Sequence, residues 1–336
     1  MIGRPPKKHS MADIANEAGV STYVVSSVLN NRPGINEETR KKVAAIIKRL
    51  GYTRTYRSTK GRTIGVVVYG IWEGWYLSSM MQGIMSCTSE VDVNIATIIY
   101  HKEKTQSLIA DIRKHCCDAL IILMPSKIMS LINTIAEKID IPIILADISL
   151  PESGLKENVG YIDNASYKGE YELIKYLISL GHEDIAFITR DLGYEDRNHS
   201  ARIQGWRDAM LEAGKSRDEL KGSLYATMDN EIAAVMDKIT ASAVAGIDDV
   251  MAMACLSYCH KNGIKVPVEL TVVGFGNMSN TEFFSPPLTT VDQKTFEVGS
   301  QAGKHAVELI TGKRKRVPRM VIPTDLVIRA SSVSRN

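Results

Sequence analysis

From Thr63 onward, short β-branched and aliphatic runs alternate with stretches of helical periodicity, and this alternation restricts the fold more than anything else in the 336 residues. The runs lie at 64–69, 93–100, 119–123, 141–147, 184–189, 243–247 and 270–275. Helical stretches separate them, including 76–90, 167–180, 202–213, 251–262 and 295–310. Such alternation predicts βαβ units, and so parallel sheets with helices on both faces. About eight to twelve strands are more than one sheet holds comfortably. Two doubly wound lobes are expected, with a ligand cleft at the carboxyl ends of their strands.

The first 62 residues are a different kind of chain. They hold 13 Lys and Arg against 4 Asp and Glu, a net +9, while the remaining 274 carry 28 against 34, a net −6. The whole-chain +3 hides a basic head on an acidic body. A head of that charge suits a polyanion, and nucleic acid fits better than a membrane surface because the head lacks a continuous apolar face with basic flanks. No stretch approaches the ~18 apolar residues of a transmembrane helix, and Met1 to Ser10 lacks the apolar core of a signal peptide, so a cytoplasmic protein is expected. Hydrophobic content of 44% with 24% charged residues excludes wholesale disorder.

Three short helices are expected in the head. Ser10 caps a first, 11–18, stopped by Gly19; Ser21 caps a second, 22–30; Asn36 caps a third, 37–50, with acidic Glu37 and Glu38 in its first turn. A three-residue connection, Gly19-Val20-Ser21, between two small helices is the helix-turn-helix pattern. Spacing alone leaves open a merely solvated basic bundle. The prolines and cations of Gly3-Arg4-Pro5-Pro6-Lys7-Lys8 describe either a minor-groove arm or a frayed tail.

Catalytic chemistry is hard to find. No HExxH, GxxxxGK[ST] or G-x-S-x-G occurs, and seven scattered histidines have no visible nucleophile partner. The five cysteines lack zinc or disulfide spacing, so buried free thiols are expected and no metal or cofactor. Lys313-Arg-Lys-Arg316 reads as a solvated loop.

The segments Ser10-Met-Ala-Asp-Ile-Ala, Ala18-Gly-Val-Ser, Val25-Ser-Ser-Val-Leu-Asn30, Thr39-Arg-Lys-Lys-Val43 and Leu50-Gly-Tyr52 resemble the headpiece of the LacI/GalR family of bacterial transcriptional regulators. The body resembles that family's effector domain through Cys117-Asp-Ala-Leu-Ile-Ile, Leu180-Gly-His-Glu-Asp-Ile-Ala-Phe187, Arg202-Ile-Gln-Gly-Trp206, Val272-Val-Gly-Phe275 and Pro287-Leu-Thr-Thr-Val-Asp-Gln293. The resemblance implies a helical headpiece over 1–52, a shortened linker over 53–62, and a periplasmic-binding-protein-like domain over 63–336 that binds effector and dimerises. Its N-lobe would be 63–161 with 293–320, and its C-lobe 162–292 with 321–333.

Carried over by position, Thr22, Tyr23 and Ser27 would face base edges in the major groove. Arg4, Ser10, Ser21, Ser26, Asn30, Asn36 and Thr39 complete the implied DNA-binding set, mostly through phosphates. The family usually has Thr at Val24 and Arg at Ser27, and losing that Arg removes the side chain best suited to guanine. The linker also departs: Thr53 to Arg62 has neither the usual Pro-Asn nor an apolar wedge, so coupling through head spacing is expected in place of a hinge helix.

In the body the resemblance implies an effector site of Trp75, Tyr76, Asp147, Arg202, Asp248, Phe275 and Asn277. Flat rings suit a sugar face or a planar base. Asp248 stands where Asn is usual, and Gly276 where Asp is usual, leaving Asn277 or Asp249 to compensate for a missing carboxylate. Each residue also has a structural reading: Trp75 closing a core, Arg202 in an ion pair, Asp147 capping a loop. The function implied is a dimeric repressor that binds operator DNA under control of a sugar or related metabolite. The alternative is a cytoplasmic solute sensor with a degenerate head that acts through protein contacts.

Overall fold

The computed structural model describes residues 11–29, 34–50, 61–69, 74–88, 91–100, 105–123, 129–148, 154–190, 197–228 and 231–335. Expectations resting on Arg4, Ser10, Asn30 and linker residues 53–60 lie outside the described residues.

The head is a three-helix bundle of α1 (Met11–Ala18), α2 (Thr22–Leu29) and α3 (Glu37–Arg49). Gly19 ends α1 because it alone accepts φ +66° cheaply; its N–H reaches Asn16 O at 3.3 Å and that of Val20 reaches Ala15 O at 3.0 Å. Asn36 caps α3 by accepting the Thr39 N–H at 2.7 Å. The bundle closes on Ile14, Ala15, Ala18, Val25, Val43 and Ile46, so it has a core of its own.

The body begins with β1 (Arg62–Tyr69), α4 (Gly74–Thr88), β2 (Val93–Tyr100), α5 (Thr105–Lys114), β3 (Ala119–Leu123), α6 (Met129–Lys138), β4 (Ile143–Ala146) and β5 (Val159–Asn164). There follow α7 (Ser166–Ser179), β6 (Ile185–Arg190), α8 (Arg197–Glu212), α9 (Arg217–Ser223), β7 (Leu224–Thr227), α10 (Ile232–Met236), β8 (Ala243–Gly246), α11 (Asp249–Lys261) and β9 (Thr271–Val273). The last elements are β10 (Thr290–Asp292), α12 (Thr295–Thr311), β11 (Arg319–Ile322) and β12 (Asp325–Val327).

Two parallel sheets result. The N-lobe sheet runs β11-β5-β4-β3-β1-β2 and the C-lobe sheet β7-β6-β8-β9. Ala119-Leu-Ile-Ile-Leu123 is buried at every position, as a strand covered on both faces by helices must be. The N-lobe packs one apolar layer beneath α4 and α12 and another beneath α5 and α6, while a third core fills the C-lobe. Helices α4 and α12 cross in backbone contact: a Cβ on Gly299 would stand 2.1 Å from Met80 O.

Three segments pass between the lobes. The first leaves β5 after Asn164, where β5 ends its pairing with β11. The third leaves β11 after Ile322, which pairs with Asn164. The second follows β10, which pairs antiparallel with β12. Lys294 Nζ bridges Asp292 Oδ2 (2.9 Å) and Asp325 Oδ2 (2.6 Å), and Ala165 N–H reaches Ile322 O at 3.0 Å, lacing the crossings together.

The thiols need a correction: Cys255 and Cys259 are buried, but Cys116 is exposed and Cys87 and Cys117 are half-buried. Cys116 occupies a left-handed turn (φ +51°) just before β3, which turns its side chain out. Burial pushes the Cys117 thiol up to about 12 and the Cys259 thiol up to about 11, so neither is a ready nucleophile.

Candidate functional site

On the head, Thr22 and Tyr23 project from the start of α2, with Tyr23 66% exposed. Ser21 Oγ accepts the Val24 N–H at 3.3 Å, fixing the entry of α2. Ser26 is half-buried, Asn36 is exposed and Thr39 is half-buried at the entry of α3. Ser27 does not face outward. It is 1% exposed and its hydroxyl has no hydrogen-bond partner among the described residues, since so short a side chain lies beneath its neighbours where an Arg would reach past them. Of the three residues of α2 expected to face bases, Thr22 and Tyr23 are exposed and Ser27 is not.

In the body, the nominated effector residues meet at the carboxyl ends of the strands. Trp75 and Tyr76 open α4, their rings edge to face at 5.5 Å. Tyr76 donates its hydroxyl to Asp147 Oδ2, and Asn164 Nδ2 donates to Asp147 Oδ1 at 2.6 Å. Ser166 in turn donates to Asn164 Oδ1. Asp147 sits at φ +58° directly after β4 and is 1% exposed. Both oxygens of Asp147 accept from the protein, and Tyr76 is buried with it.

Across the cleft, Arg202 is 5% exposed. Its Nη1 donates to Ile247 O at 2.8 Å and its Nη2 to Gln293 Oε1 at 2.9 Å, while the guanidinium carbon lies 4.1 Å over the Phe275 ring. The fork expected to grip a ligand thus bonds the chain after β8 and the segment between β10 and α12. Asp248 caps α11 by accepting the Met251 N–H at 2.9 Å through Oδ1, and its Oδ2 pairs with Arg190 at the end of β6. Nor does Asn277 compensate for the missing carboxylate. It occupies φ +52°, and its Oδ1 accepts from Arg329 Nη2 at 2.9 Å. Asp249 is equally committed, accepting from Thr290 Oγ1 (2.5 Å) and the Met278 N–H (2.7 Å). Burial pushes the Asp249 carboxyl up to about 6, against those donors, which favour its anion.

One contact joins the lobes within the site. A Cβ built on Gly276 would meet Trp75 Cη2 at 3.1 Å and Asp249 Oδ2 at 3.3 Å, and Gly276 holds φ +136°. The Trp75 edge of the N-lobe therefore rests where a side chain of the C-lobe strand end would stand.

Sequence reasoning missed Arg190, Asn164, Gln293 and Glu170. Glu170 left a readable signal: it falls on the stripe Ser166, Gly169, Leu173, Ile174, Leu177 that α7 buries, an acid on an apolar face. Arg190 left little, since a cation at a strand end is ordinary. Among the described residues no group of three His, Cys, Asp or Glu is placed to hold a metal ion, and no helix is long and apolar enough to cross a membrane.

A family model described as bacterial regulatory proteins, lacI family, matches residues 10–55, and one for a periplasmic binding protein-like domain matches 174–332. The HTH-type transcriptional regulator DegA of Bacillus subtilis is 31% identical over 98% of this chain and 99% of its own. The HTH-type transcriptional repressor PurR of Histophilus somni (strain 129Pt) is 30% identical over 96% and 98%. Among solved structures, a complex of the transcriptional regulator CelR with cellobiose is 25% identical, with a TM-score of 0.69 over 96% of this chain and 100% of that one. The lac repressor dimer bound to operator and the anti-inducer ONPF shares the fold at 19% identity, with a TM-score of 0.66 over 97% and 100%. With a closed helix-turn-helix core at one end and two parallel α/β lobes at the other, the chain belongs to the lacI family of bacterial regulatory proteins, DNA-binding transcriptional regulators with an effector-binding domain and no enzymatic role.

Proposed function

We propose that the protein is a cytoplasmic homodimeric repressor that sets two α2 helices into successive half-sites of an operator and responds to a small polar metabolite of the sugar class bound between its lobes. Half-site recognition needs two heads, because one small headpiece buries only ~600–1,000 Å² on DNA and rarely reaches operator affinity alone. The relatives described above include one complexed with cellobiose and a dimer bound to operator, and both support the reading. A degenerate head is not favoured, since its apolar core is closed.

The observation that carries the effector part is Trp75 seated on Gly276 across the cleft. A ligand entering here displaces the indole or stacks on it, and exchanges one of the polar pairs Arg190 with Asp248 or Arg202 with Gln293. Because each such pair is already satisfied, a ligand gains only the difference between old and new partners. A hexose gripped by several carboxylates is not the ligand this geometry suits. Titration of the full chain with a panel containing cellobiose, ribose and planar bases, read by tryptophan fluorescence and melting temperature, tests this. A shift with one member that is lost in Trp75→Leu is expected. No response to any member in either readout would leave a cleft operated by something other than a small polar molecule.

A further inference from the structure

Glu170 stands apart from the bonded pairs of the cleft. It is 0% exposed on the buried stripe of α7, and neither carboxylate oxygen has a hydrogen-bond partner among the described residues. A buried polar group left without a partner is costly and calls for a physical reason. The nearby group that also lacks a partner is Arg202 Nε, although the other two nitrogens of that guanidinium are bonded to Ile247 and Gln293. Helices α7 and α8 touch beside them: a Cβ on Gly205 would stand 3.1 Å from Glu170 Cβ and 2.5 Å from Tyr167 O. An unmade bond between an unpartnered buried acid and the unpartnered edge of a buried guanidinium describes a second arrangement of the same residues.

We propose that Glu170 is a positioning residue for Arg202, forming an ion pair with it in a second state of the cleft in which Arg202 has released Gln293. Gln293 lies between β10 and α12, on the second segment that crosses between the lobes, and α7 starts directly after the first crossing. Arg202 bonded to Gln293 ties the second crossing to the C-lobe; Arg202 drawn to Glu170 lets it go. A ligand that favours either partner shifts the lobes by that preference. This coupling rests on the reading of the cleft as an effector site, whereas the two partner states do not.

The charged groups on elements packed against α7 narrow what acts on Glu170. Asp208 and Glu212 of α8 accept from Tyr167, Tyr171 and Lys175, and Asp292 of β10 and Asp325 of β12 are held by Lys294. Burial pushes the Glu170 carboxyl up to about 8 even against Arg202, the charge that acts on it. Raising the pH through that value supplies the anion that draws Arg202 across.

The test uses the full chain with no effector added. Amide exchange of residues 290–294, normalised to β8, is followed from about pH 6 to about pH 9 in the parent, Glu170→Gln and Gln293→Ala. The parent is expected to lose about tenfold in protection over that range, Glu170→Gln to lose none, and Gln293→Ala to be unprotected throughout. Equal pH profiles in the parent and Glu170→Gln, or none in the parent, would overturn the proposal. Since no effector is present, this outcome and the outcome of the ligand panel are independent.

Discussion

At the scale of single residues, the cleft is defined by who bonds whom. Asp147, Arg202 and Asp248 could be named from sequence because acids and an Arg at strand ends of such a fold face the cleft. That they bond Tyr76, Gln293 and Arg190 could not, because those partners lie 71, 91 and 58 positions away. Ser27 misled for a different reason: helical spacing gives direction but not reach. Tyr23, the long side chain on that helix, should carry base preference, so Tyr23→Ala is expected to change the consensus recovered in a binding-site selection. An unchanged consensus would contradict the assignment. Glu170 carries a second prediction. Its folded carboxyl is raised to about 8 from an unfolded value of 4.5, so the folded state holds the extra proton between them. Stability is then fully present below the unfolded value and is lost as pH rises through about 8. Glu170→Gln should abolish that decline in a series of urea unfolding curves and be more stable than the parent at alkaline pH; parallel decline in both chains would contradict it.

At the scale of elements, strands such as β3 were legible because five consecutive aliphatic residues admit little else. The three-residue strands β10 and β12 were not, since segments so short carry no periodicity and exist because the crossings lie side by side. Two changes test what holds elements in place. Asn36→Ala removes the side-chain acceptor of the Thr39 N–H and should cost the head about 1 kcal/mol, seen as a lower melting point of its transition with the body unchanged. Gly299→Ala pushes a methyl onto Met80 O, where backbone cannot yield cheaply, and should destabilise the body by about 1–3 kcal/mol in urea unfolding. Neutrality there would mean that α4 and α12 separate more easily than their contact implies.

At the scale of the whole molecule, the +9 head and −6 body divide the labour of DNA binding. Head cations are expected to supply affinity by releasing counterions, and the acidic body to repel the duplex and leave contact to the head. The two-lobed body was readable from the alternation of strands and helices. How the lobes touch was not, because Trp75 and Gly276 meet only after both sheets have formed. The most direct measurement is competition binding of the full chain to DNA from its own upstream region against random DNA, as salt is raised. Affinity should fall steeply with salt for both, with the upstream site retaining a preference of about a thousandfold or more. Equal affinity for the two DNAs at every salt concentration would contradict the account.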